Sequence, residues 1–228
     1  MSPANLPRQA EARRIDLPDA EILLWPAAWS PAEADALLLA LQTGIDWRQE
    51  EILMFGRRRL VPRLVAWHGD PGAVYAYSGT AHVPLPWNPV LASIRDRVEA
   101  LTGHAFNSVL LNRYRDGRDG MGWHADDEPE LGREPVIASV SFGATRRFQL
   151  RHRHLRAARA ELLLGHGGLL LMAGPTQHHY LHAVPKTTRP AAERINLTFR
   201  TVLMPSRVAA ASSGISVSAA VATPETVA

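Results

Sequence analysis

Strict alternation of apolar and polar residues from Arg194 to Arg200 constrains the fold of this chain more than any other feature. A repeat of two residues predicts a β-strand with two different faces. The apolar face consists of Ile195, Leu197 and Phe199. The polar face consists of Arg194, Asn196, Thr198 and Arg200. The simplest interpretation is an antiparallel strand with one face in water, because such strands are the commonest source of this pattern.

The alternative is that the polar face of this strand points into a barrel. Two permanent charges there need anionic partners, because an unpaired buried charge is very costly. The Cα atoms of Arg194 and Arg200 would lie about 20 Å apart, and long side chains can converge from that distance on the two ends of a small dicarboxylate. A further strand from Ser108 to Tyr114 would present Asn112 and Tyr114 on one face in the same way. Such a set suits 2-oxoglutarate.

Two imidazoles and one carboxylate come from His124-Ala125-Asp126 and from His182, which lies 56 residues beyond Asp126. This is the ligand set of a non-haem Fe(II) centre, which keeps an open face for oxygen and a co-substrate. On a strand, residues two apart point the same way, so His124 and Asp126 can bind one ion. The third ligand then comes from a distant strand. A His-x-Asp pair alone is a weak signal, since such pairs usually mark a turn or a surface hydrogen bond.

Five motifs follow one another between residues 50 and 203. They are Asn112-Arg113-Tyr114-Arg115-Asp116-Gly117, His124-Ala125-Asp126-Asp127-Glu128, Ala138 to Ala144, His182, and Arg194-x-Asn196-x-Thr198-x-Arg200. In this order they resemble the AlkB-homologue dioxygenases, Fe(II)- and 2-oxoglutarate-dependent enzymes that remove alkyl lesions from nucleobases. Each motif alone is unspecific, but the five together are specific.

The resemblance implies iron ligands and a co-substrate set. The implied iron ligands are His124, Asp126 and His182. The implied 2-oxoglutarate set is Asn112, Tyr114, Arg194, Asn196, Thr198 and Arg200. Within that set we expect Arg200 nearest the iron-chelating end of the co-substrate and Arg194 near its distal carboxylate.

The residue just before the second histidine of the motif set departs from the family pattern. The family often has an aromatic residue there, where this chain has Leu181. His178 and His179 precede it, and on an extended segment two neighbours face opposite ways, so one of them at most can face the site. We expect His179 to support the site from behind the ligands, with an ordinary surface histidine as the alternative.

Helix signals and turns predict the organisation of the chain. Ser30-Pro31-Ala32-Glu33 is a capping box that begins a helix from about 31 to 43. Asn88-Pro89 begins a second helix, which Gly103 ends. From Ser108 onward the pattern indicates mainly strands, with turns at 116–122, 143–144 and 165–168.

These elements predict a mainly β fold, a double-stranded β-helix (jelly-roll) barrel with N-terminal helices packed on it, as the resemblance also implies. We expect residues 106–204 to form the catalytic core and 16–105 to form supporting helices and substrate-recognition elements. Residues 1–15 and 205–228 are expected to be disordered.

Composition fits one enzyme domain. The chain has 228 residues, of which 46% are hydrophobic, enough for a single core. It has no cysteine, which excludes disulfides and thiolate metal sites. No apolar run of membrane length and no leader pattern is present. A cytoplasmic monomer without membrane contact is the resulting expectation.

Charge indicates the partner only through its distribution, because the net charge is just +3. The segments 52–69 and 135–160 contain no Asp or Glu. Their arginines are Arg57, Arg58, Arg59, Arg63, Arg146, Arg147, Arg151, Arg153, Arg156 and Arg159. Arginine runs are often only solvated faces, but two acid-free basic segments suit a phosphate backbone. DNA, single- or double-stranded, is the expected partner.

Tyr75 and Tyr77 would share one strand face. They are either half-buried core residues or the wall on which an extruded base stacks. The segment resembles the damaged-base pocket of family members that repair double-stranded DNA, which also carry an arginine matching Arg63. The implied substrate set is Met54, Phe55, Gly56, Arg63, Tyr75, Tyr77, Ser78, Asp127 and Glu128. Asp127 and Glu128 either contact the exocyclic group of the lesion or hold Arg200 or Arg113 in place.

Met54-Phe55-Gly56 is the candidate for a wedge that enters the duplex. Two bulky apolar residues precede a glycine and then three arginines, so an apolar tip would be flanked by a phosphate-binding base. The arrangement resembles the intercalating finger of the double-strand-repairing members. The alternative is that 52–55 form an ordinary core strand.

The implied activity is oxidative dealkylation of 1-methyladenine and 3-methylcytosine with Fe(II), 2-oxoglutarate and O2, releasing formaldehyde, succinate and CO2. One rival is a hydroxylase of the same fold acting on RNA, protein or small molecules, which would not need the basic segments or the paired tyrosines. The other is a nucleic-acid binder without catalysis, which would not need the metal triad.

Overall fold

The computed structural model describes residues 11–54, 57–73, 75–77, 80–189 and 191–203. Its helices are α1 (Pro31–Gly44), α2 (Pro89–Thr102) and α3 (Thr176–His179), and a 3-10 turn covers Pro129–Leu131. The strands of the first half are β1 (Arg13–Arg14), β2 (Glu21–Trp25), β3 (Glu51–Met54), β4 (Arg57–Leu60), β5 (Leu64–Gly69), β6 (Tyr75–Tyr77) and β7 (Thr80–His82). Those of the second half are β8 (Ser108–Tyr114), β9 (Met121–His124), β10 (Ile137–Gly143), β11 (Arg146–His152), β12 (Arg159–Leu164), β13 (Gly168–Ala173), β14 (Tyr180–Val184) and β15 (Arg194–Arg200).

Two antiparallel sheets enclose the interior. The larger has seven strands in the order β1-β2-β13-β10-β15-β8-β5, and the smaller has four in the order β12-β11-β14-β9. Buried side chains from both form one apolar cluster, with Ile137 and Leu170 from the large sheet and Phe148 and Leu150 from the small one. The expected mainly β fold with supporting helices is confirmed.

Two helices cover the other face of the large sheet. Ser30 caps α1 in a capping box with Glu33, and Asn88 caps α2, which Gly103 ends in the left-handed conformation with φ 74°. Both predicted helices are therefore confirmed, with ends set by the expected capping residues. Leu41 and Ile94 bury their side chains in the cluster between helices and sheet.

The position of β15 decides between the two interpretations of its alternation. All seven of its residues are buried. Ile195, Leu197 and Phe199 belong to the cluster under the helices, so the polar positions face the space between the two sheets. There they lie between β8 and β10, the hydrogen-bonded neighbours of β15. The polar face is therefore buried and points into the interior, and the wet-face interpretation is wrong.

Several local expectations differ from the structure. Arg13 and Arg14 pair with β2, although they were expected in a disordered segment. The turn expected over 116–122 ends earlier, because β9 begins at Met121. The large sheet also takes β2 and β5 from the N-terminal half, so it contains strands from both sides of residue 105.

Two hairpins form separate two-stranded sheets. β3 pairs with β4, and β6 pairs with β7. The tip of the expected wedge, Phe55 and Gly56, lies outside the described residues, as do Ser78 and the tail from 204. Within the described ranges, no helix has the length and apolar character needed to cross a membrane.

Candidate active site

Three side chains meet where β9 and β14 pair. His124 is the last residue of β9 and lies directly opposite His182 on β14, with the ring centroids 4.2 Å apart. Nε2 of His182 lies 3.7 Å from Oδ2 of Asp126. One potential ligand atom from each of the three residues lies within 4.8 Å of the others. The sequence-predicted triad is thus brought together in the geometry of a metal site.

Asp126 does not share a strand with His124, contrary to expectation. β9 ends at His124, and its described pairing with β14 ends there too, with a register shift between the His124–His182 and Met121–Val184 pairs. The backbone N–H of Asp126 therefore donates to Oε1 of Gln177 at 3.0 Å rather than to a strand partner. Its carboxylate is held from the other side, where Nη2 of Arg200 donates to Oδ1 at 2.5 Å.

The protonation of the triad suits metal binding. Burial raises the pKa of Asp126, but the nearby Arg200, His182 and His124 outweigh it and lower the pKa to about 2. Burial, followed by the neighbouring His124, lowers the pKa of His182 to about 3 against the opposing pull of Asp126. At neutral pH the site therefore holds an ionised carboxylate and a neutral His182, the forms that bind a cation.

A second group of similar composition, Asp19, His152 and His179, differs from the first in the proton positions on its histidine rings. Nδ1 of His152 accepts the backbone N–H groups of His154 and Leu155 at 3.0 and 2.9 Å. The proton of this neutral ring is therefore on Nε2, which faces Asp19 at 3.3 Å and has no lone pair for a metal.

In the first group, Nδ1 of His124 lies 2.8 Å from the carbonyl oxygen of Gly122. Because a carbonyl only accepts, that nitrogen carries the proton and Nε2 keeps its lone pair for a metal. The residues of the first group therefore fit a divalent cation, and those of the second do not.

The polar face of β15 borders a cavity beside the triad. The expected co-substrate residues that line it are Asn112, Tyr114, Asn196, Thr198 and Arg200. Arg194 lies at the far end of the same face, directly opposite Tyr114 on β8. The cavity, here called the co-substrate chamber, therefore ends next to Tyr114, the residue opposite Arg194.

Arg194 is the strongest indication of an anionic ligand. Its side chain is buried, and its Nη2 donates to Oγ of Ser141 at 2.8 Å. Nε and Nη1 are also buried, yet neither has a hydrogen-bond partner among the described residues. Burial lowers the pKa of Arg194, although an arginine stays charged. A buried guanidinium with two unused donors needs an anion, and a carboxylate matches its fork.

Asn112 and Asn196 are held by the protein itself. Oδ1 of Asn112 accepts from Nε of Arg63 at 2.7 Å. Nδ2 of Asn196 donates to Oγ of Ser139 and to the carbonyl of Val140, and its Oδ1 accepts from Thr198 at 3.3 Å. Their direct contact with 2-oxoglutarate stays a prediction.

A second cavity opens beside His124 and Asp126. Apolar side chains form much of its wall, namely Val65, Trp67, Leu110 and Met121. Arg63 and Glu128 also line it, and Oε2 of Glu128 is buried without a hydrogen-bond partner in the described part of the chain. The cavity can therefore receive a flat, largely apolar group that offers a donor to Glu128.

The structure excludes one of the roles considered for Asp127, that of holding Arg113 in place. Asp127 accepts from Nη2 of Arg153 at 2.6 Å, and Arg113 is held instead by Glu193 at 2.7 Å. Holding Arg113 is therefore not the role of Asp127. Tyr75 and Tyr77 lie two apart on β6, as expected.

His178 and His179 were expected on an extended segment, which is wrong because they end the short helix α3. Nε2 of His178 contacts the carbonyl of Arg133. The ring of His179 stacks on His152, with the centroids 5.4 Å apart, in the second group rather than beside the triad of His124, Asp126 and His182, where it was expected.

The acid-free basic segments divide into buried and exposed arginines. Arg146 is buried and donates to the carbonyls of Asp116, Asp119 and Pro185, so it braces a loop instead of meeting phosphate. Arg63 is buried as well. Arg151, Arg156 and Arg159 are exposed.

Comparisons with known proteins agree with this geometry. A family model described as the 2OG-Fe(II) oxygenase superfamily matches residues 21–200. The chain belongs to this superfamily. An oxygenase of this superfamily uses Fe(II), 2-oxoglutarate and O2, which are therefore the cofactor and co-substrates of this chain.

Two human relatives resemble the oxygenase over most of its length. It is 44% identical to "DNA oxidative demethylase ALKBH2" over 183 residues, 76% of this chain and 70% of that protein. It is 42% identical to "Alpha-ketoglutarate-dependent dioxygenase alkB homolog 3" over 190 residues, 79% of this chain and just under two thirds, 66%, of that protein. The solved structure titled "The structure of OsALKBH1" has a TM-score of 0.57 at 16% identity, covering 84% of this chain and all of that one, which supports the fold.

Sequence reasoning missed two residues of the oxygenase site. The side chain of Gln177 accepts a hydrogen bond from the backbone N–H of Asp126. The guanidinium of Arg146 lies 5.7 Å from the ring centroid of Tyr114. Neither follows from the sequence, because Gln177 lies in a helix too short for a periodic pattern and Arg146 looks like one more member of an arginine run.

Proposed function

We propose that this oxygenase is a DNA oxidative demethylase that removes methyl groups from ring nitrogens of 1-methyladenine and 3-methylcytosine. The observation that carries the proposal is that His124 and Asp126 line two cavities at once, one bordered by the polar face of β15 and by His182, the other largely apolar. The printed activity of the relative ALKBH2 supports it. We also propose that the two sheets form the double-stranded β-helix of this superfamily.

The three triad residues would hold Fe(II), which together with 2-oxoglutarate and O2 supplies the oxidation of the N-methyl carbon. The chain's own residues bind and orient. Arg194 would bind the distal carboxylate of 2-oxoglutarate with its two unused donors, and Arg200 keeps Oδ1 of Asp126 engaged so that Oδ2 faces the metal. The hydroxymethyl product on nitrogen then loses formaldehyde and leaves the repaired base.

The apolar cavity would take the extruded base, because a ring nitrogen is inaccessible inside a duplex. Its apolar wall excludes water, and the buried Oε2 of Glu128 would accept from the exocyclic amino group of adenine or cytosine. Arg63 joins this cavity to the co-substrate chamber through Asn112. We propose that Tyr75, Tyr77, Ser78 and Asp127 complete the substrate side.

The hairpin of β3 and β4 supports the proposed wedge, because these strands pair only with each other in the described sheets. Phe55→Ala is expected to lower activity on double-stranded 3-methylcytosine DNA about tenfold or more, and to change activity on the same strand alone much less. The reason is that unstacking costs a few kcal/mol in a duplex and little in a single strand. Formaldehyde release on matched oligonucleotides is the measurement. Equal losses on both substrates with a lower Tm would identify Phe55 as core.

An exposed aromatic and two arginines on the outside of the small sheet suit the strand flanking the lesion. Trp123 is 40% exposed, and the guanidinium of Arg151 lies 4.2 Å from its ring centroid. Arg151 is directly opposite Arg159, so two like charges face each other across β11 and β12. Such a pair is unfavourable without an anion, and a phosphate between the two would relieve it.

Arg151→Gln is therefore expected to weaken binding of a single-stranded oligonucleotide about threefold to tenfold and to reduce its salt slope by about 0.7. Turnover of a methylated trinucleotide, too short to reach this face, should not change. Arg95→Gln is the matched control. Arg95 also lies over a tryptophan ring, that of Trp87, but it belongs to α2 and not to the small sheet. Equal effects of the two substitutions would remove the small sheet from the interface.

The experiment that tests the proposed function is reconstitution of the metal-free protein with Fe(II) and 2-oxoglutarate, with a 3-methylcytosine oligonucleotide as substrate. Formaldehyde and succinate should form together. Succinate without formaldehyde from the methylated oligonucleotide, alongside turnover of another substrate class, would favour a hydroxylase of the same fold.

A further inference from the structure

Gln177 is buried beside the triad of His124, Asp126 and His182, and its side-chain amide hydrogen-bonds to the backbone of Asp126. Its Oε1 accepts the backbone N–H of Asp126 at 3.0 Å, and its Nε2 lies 3.6 Å from Sδ of Met172. These partners fix the orientation of the amide, because the backbone N–H requires an acceptor and a thioether sulfur has no proton to donate. The carbonyl end of Gln177 therefore faces Asp126.

Asp126 needs such a partner because it lies beyond the last residue of β9. No ladder hydrogen bond sets its backbone, while its carboxylate must present one oxygen to the metal. Arg200 holds Oδ1 and Gln177 holds the backbone N–H, so the residue is fixed at two points. With the backbone point removed, the peptide is free to turn, and Oδ2 no longer has a set direction.

The helix that carries Gln177 is itself anchored, and it continues directly into the strand of His182. Oγ1 of Thr176 donates to the carbonyl of Ala173 at 2.6 Å and accepts the backbone N–H of Glu21 at 2.9 Å. Gln177 thus joins the segment of one metal ligand to the base of the strand that bears another.

We propose that Gln177 is a positioning residue of the metal centre: it sets the backbone of Asp126 so that Oδ2 is presented beside Nε2 of His182. It touches neither metal nor substrate, and it acts through Asp126 alone. The proposal rests on the triad as the metal site and does not depend on the nature of the substrate.

Titration of the metal-free protein with Co(II), in the absence of 2-oxoglutarate and DNA, tests the role. Gln177→Met keeps the size of the side chain but removes the acceptor, and it should weaken Co(II) binding about 10- to 100-fold, the usual effect of losing a partner behind a metal ligand. The visible absorption of bound Co(II) should also change, because it reports the ligand geometry. Gln177→Glu keeps an acceptor oxygen and should stay much nearer to the wild type in both measurements.

Thr176→Val is the matched control for stability. It removes a side-chain hydrogen bond from the same helix but keeps the acceptor of Gln177 for Asp126, so it should lower Tm while weakening Co(II) binding far less than Gln177→Met does. Gln177→Asn, whose amide is one methylene too short to reach, should repeat the loss seen with Gln177→Met and serves if the latter fails to fold. Wild-type affinity and absorption in the folded Met or Asn variant would overturn the proposal, as would an equal loss of affinity in Thr176→Val.

Discussion

His124→Ala is expected to abolish turnover and to reduce bound iron from about one per chain to almost none, because three protein ligands leave no redundancy at the metal. The fold should persist, since the His124 ring is only partly buried and its described hydrogen bond is the one from Nδ1 to Gly122. Iron content and formaldehyde release are the measurements.

His179→Ala is the matched control, because it removes a histidine from the second group of Asp19, His152 and His179. The proton on Nε2 of His152 prevents that group from binding a metal, so iron content and turnover should stay near those of the wild type. Iron retained in His124→Ala but lost in His179→Ala would reverse the assignment of the two groups.

Asp126→Asn extends the first prediction to the carboxylate. Alanine at this position would remove the buried carboxylate that pairs with Arg200 and cost about 3–5 kcal/mol, whereas asparagine keeps an acceptor at the same place. The asparagine variant should therefore fold and still lose iron.

Arg194→Met is expected to raise the Michaelis constant for 2-oxoglutarate about 100-fold, because two charge-assisted hydrogen bonds to its distal carboxylate are lost. Arg194→Lys should recover only part of this, since an ammonium cannot reproduce the planar fork. The ligand-free Met variant should be at least as stable as the wild type, because the substitution removes a buried charge whose Nε and Nη1 have no partner among the described residues.

Thermal unfolding with and without 2-oxoglutarate distinguishes a loss of co-substrate binding in Arg194→Met from damage to the fold. The co-substrate should raise the Tm of the wild type but not of Arg194→Met. Arg113→Met is the control, because Arg113 lies on β8 opposite the next residue, Ile195, and is paired with Glu193. Arg113→Met should lower the stability of the protein and leave the Michaelis constant for 2-oxoglutarate unchanged. A raised Michaelis constant in Arg113→Met, with that of Arg194→Met unchanged, would place the distal carboxylate away from Arg194.

The fold class and the residues of the triad could be predicted from the sequence, because both leave local sequence signals. Capping residues mark the ends of α1 and α2, and a repeat of two marks β15. The sequence alone left open whether the polar face of β15 is wet, since that depends on how the sheets pack. The family resemblance implied a buried polar face, and the structure shows that all of β15 is buried.

The remaining differences arise from long-range contacts. His178 and His179 were placed on an extended segment because no helix of four residues has a periodic signature. The sequence grouped Arg146 with the arginines of a basic segment, but its guanidinium donates to three backbone carbonyls of distant residues. Gln177 became part of the site only through a hydrogen bond to a residue 51 positions away in the chain.

The most direct test of the account measures formaldehyde and succinate together, with Fe(II), 2-oxoglutarate and either a 3-methylcytosine oligonucleotide or its unmethylated counterpart. The account predicts one formaldehyde for each succinate on the methylated strand and little succinate on the other. Equal succinate on both strands, with no formaldehyde from the methylated one, would contradict it.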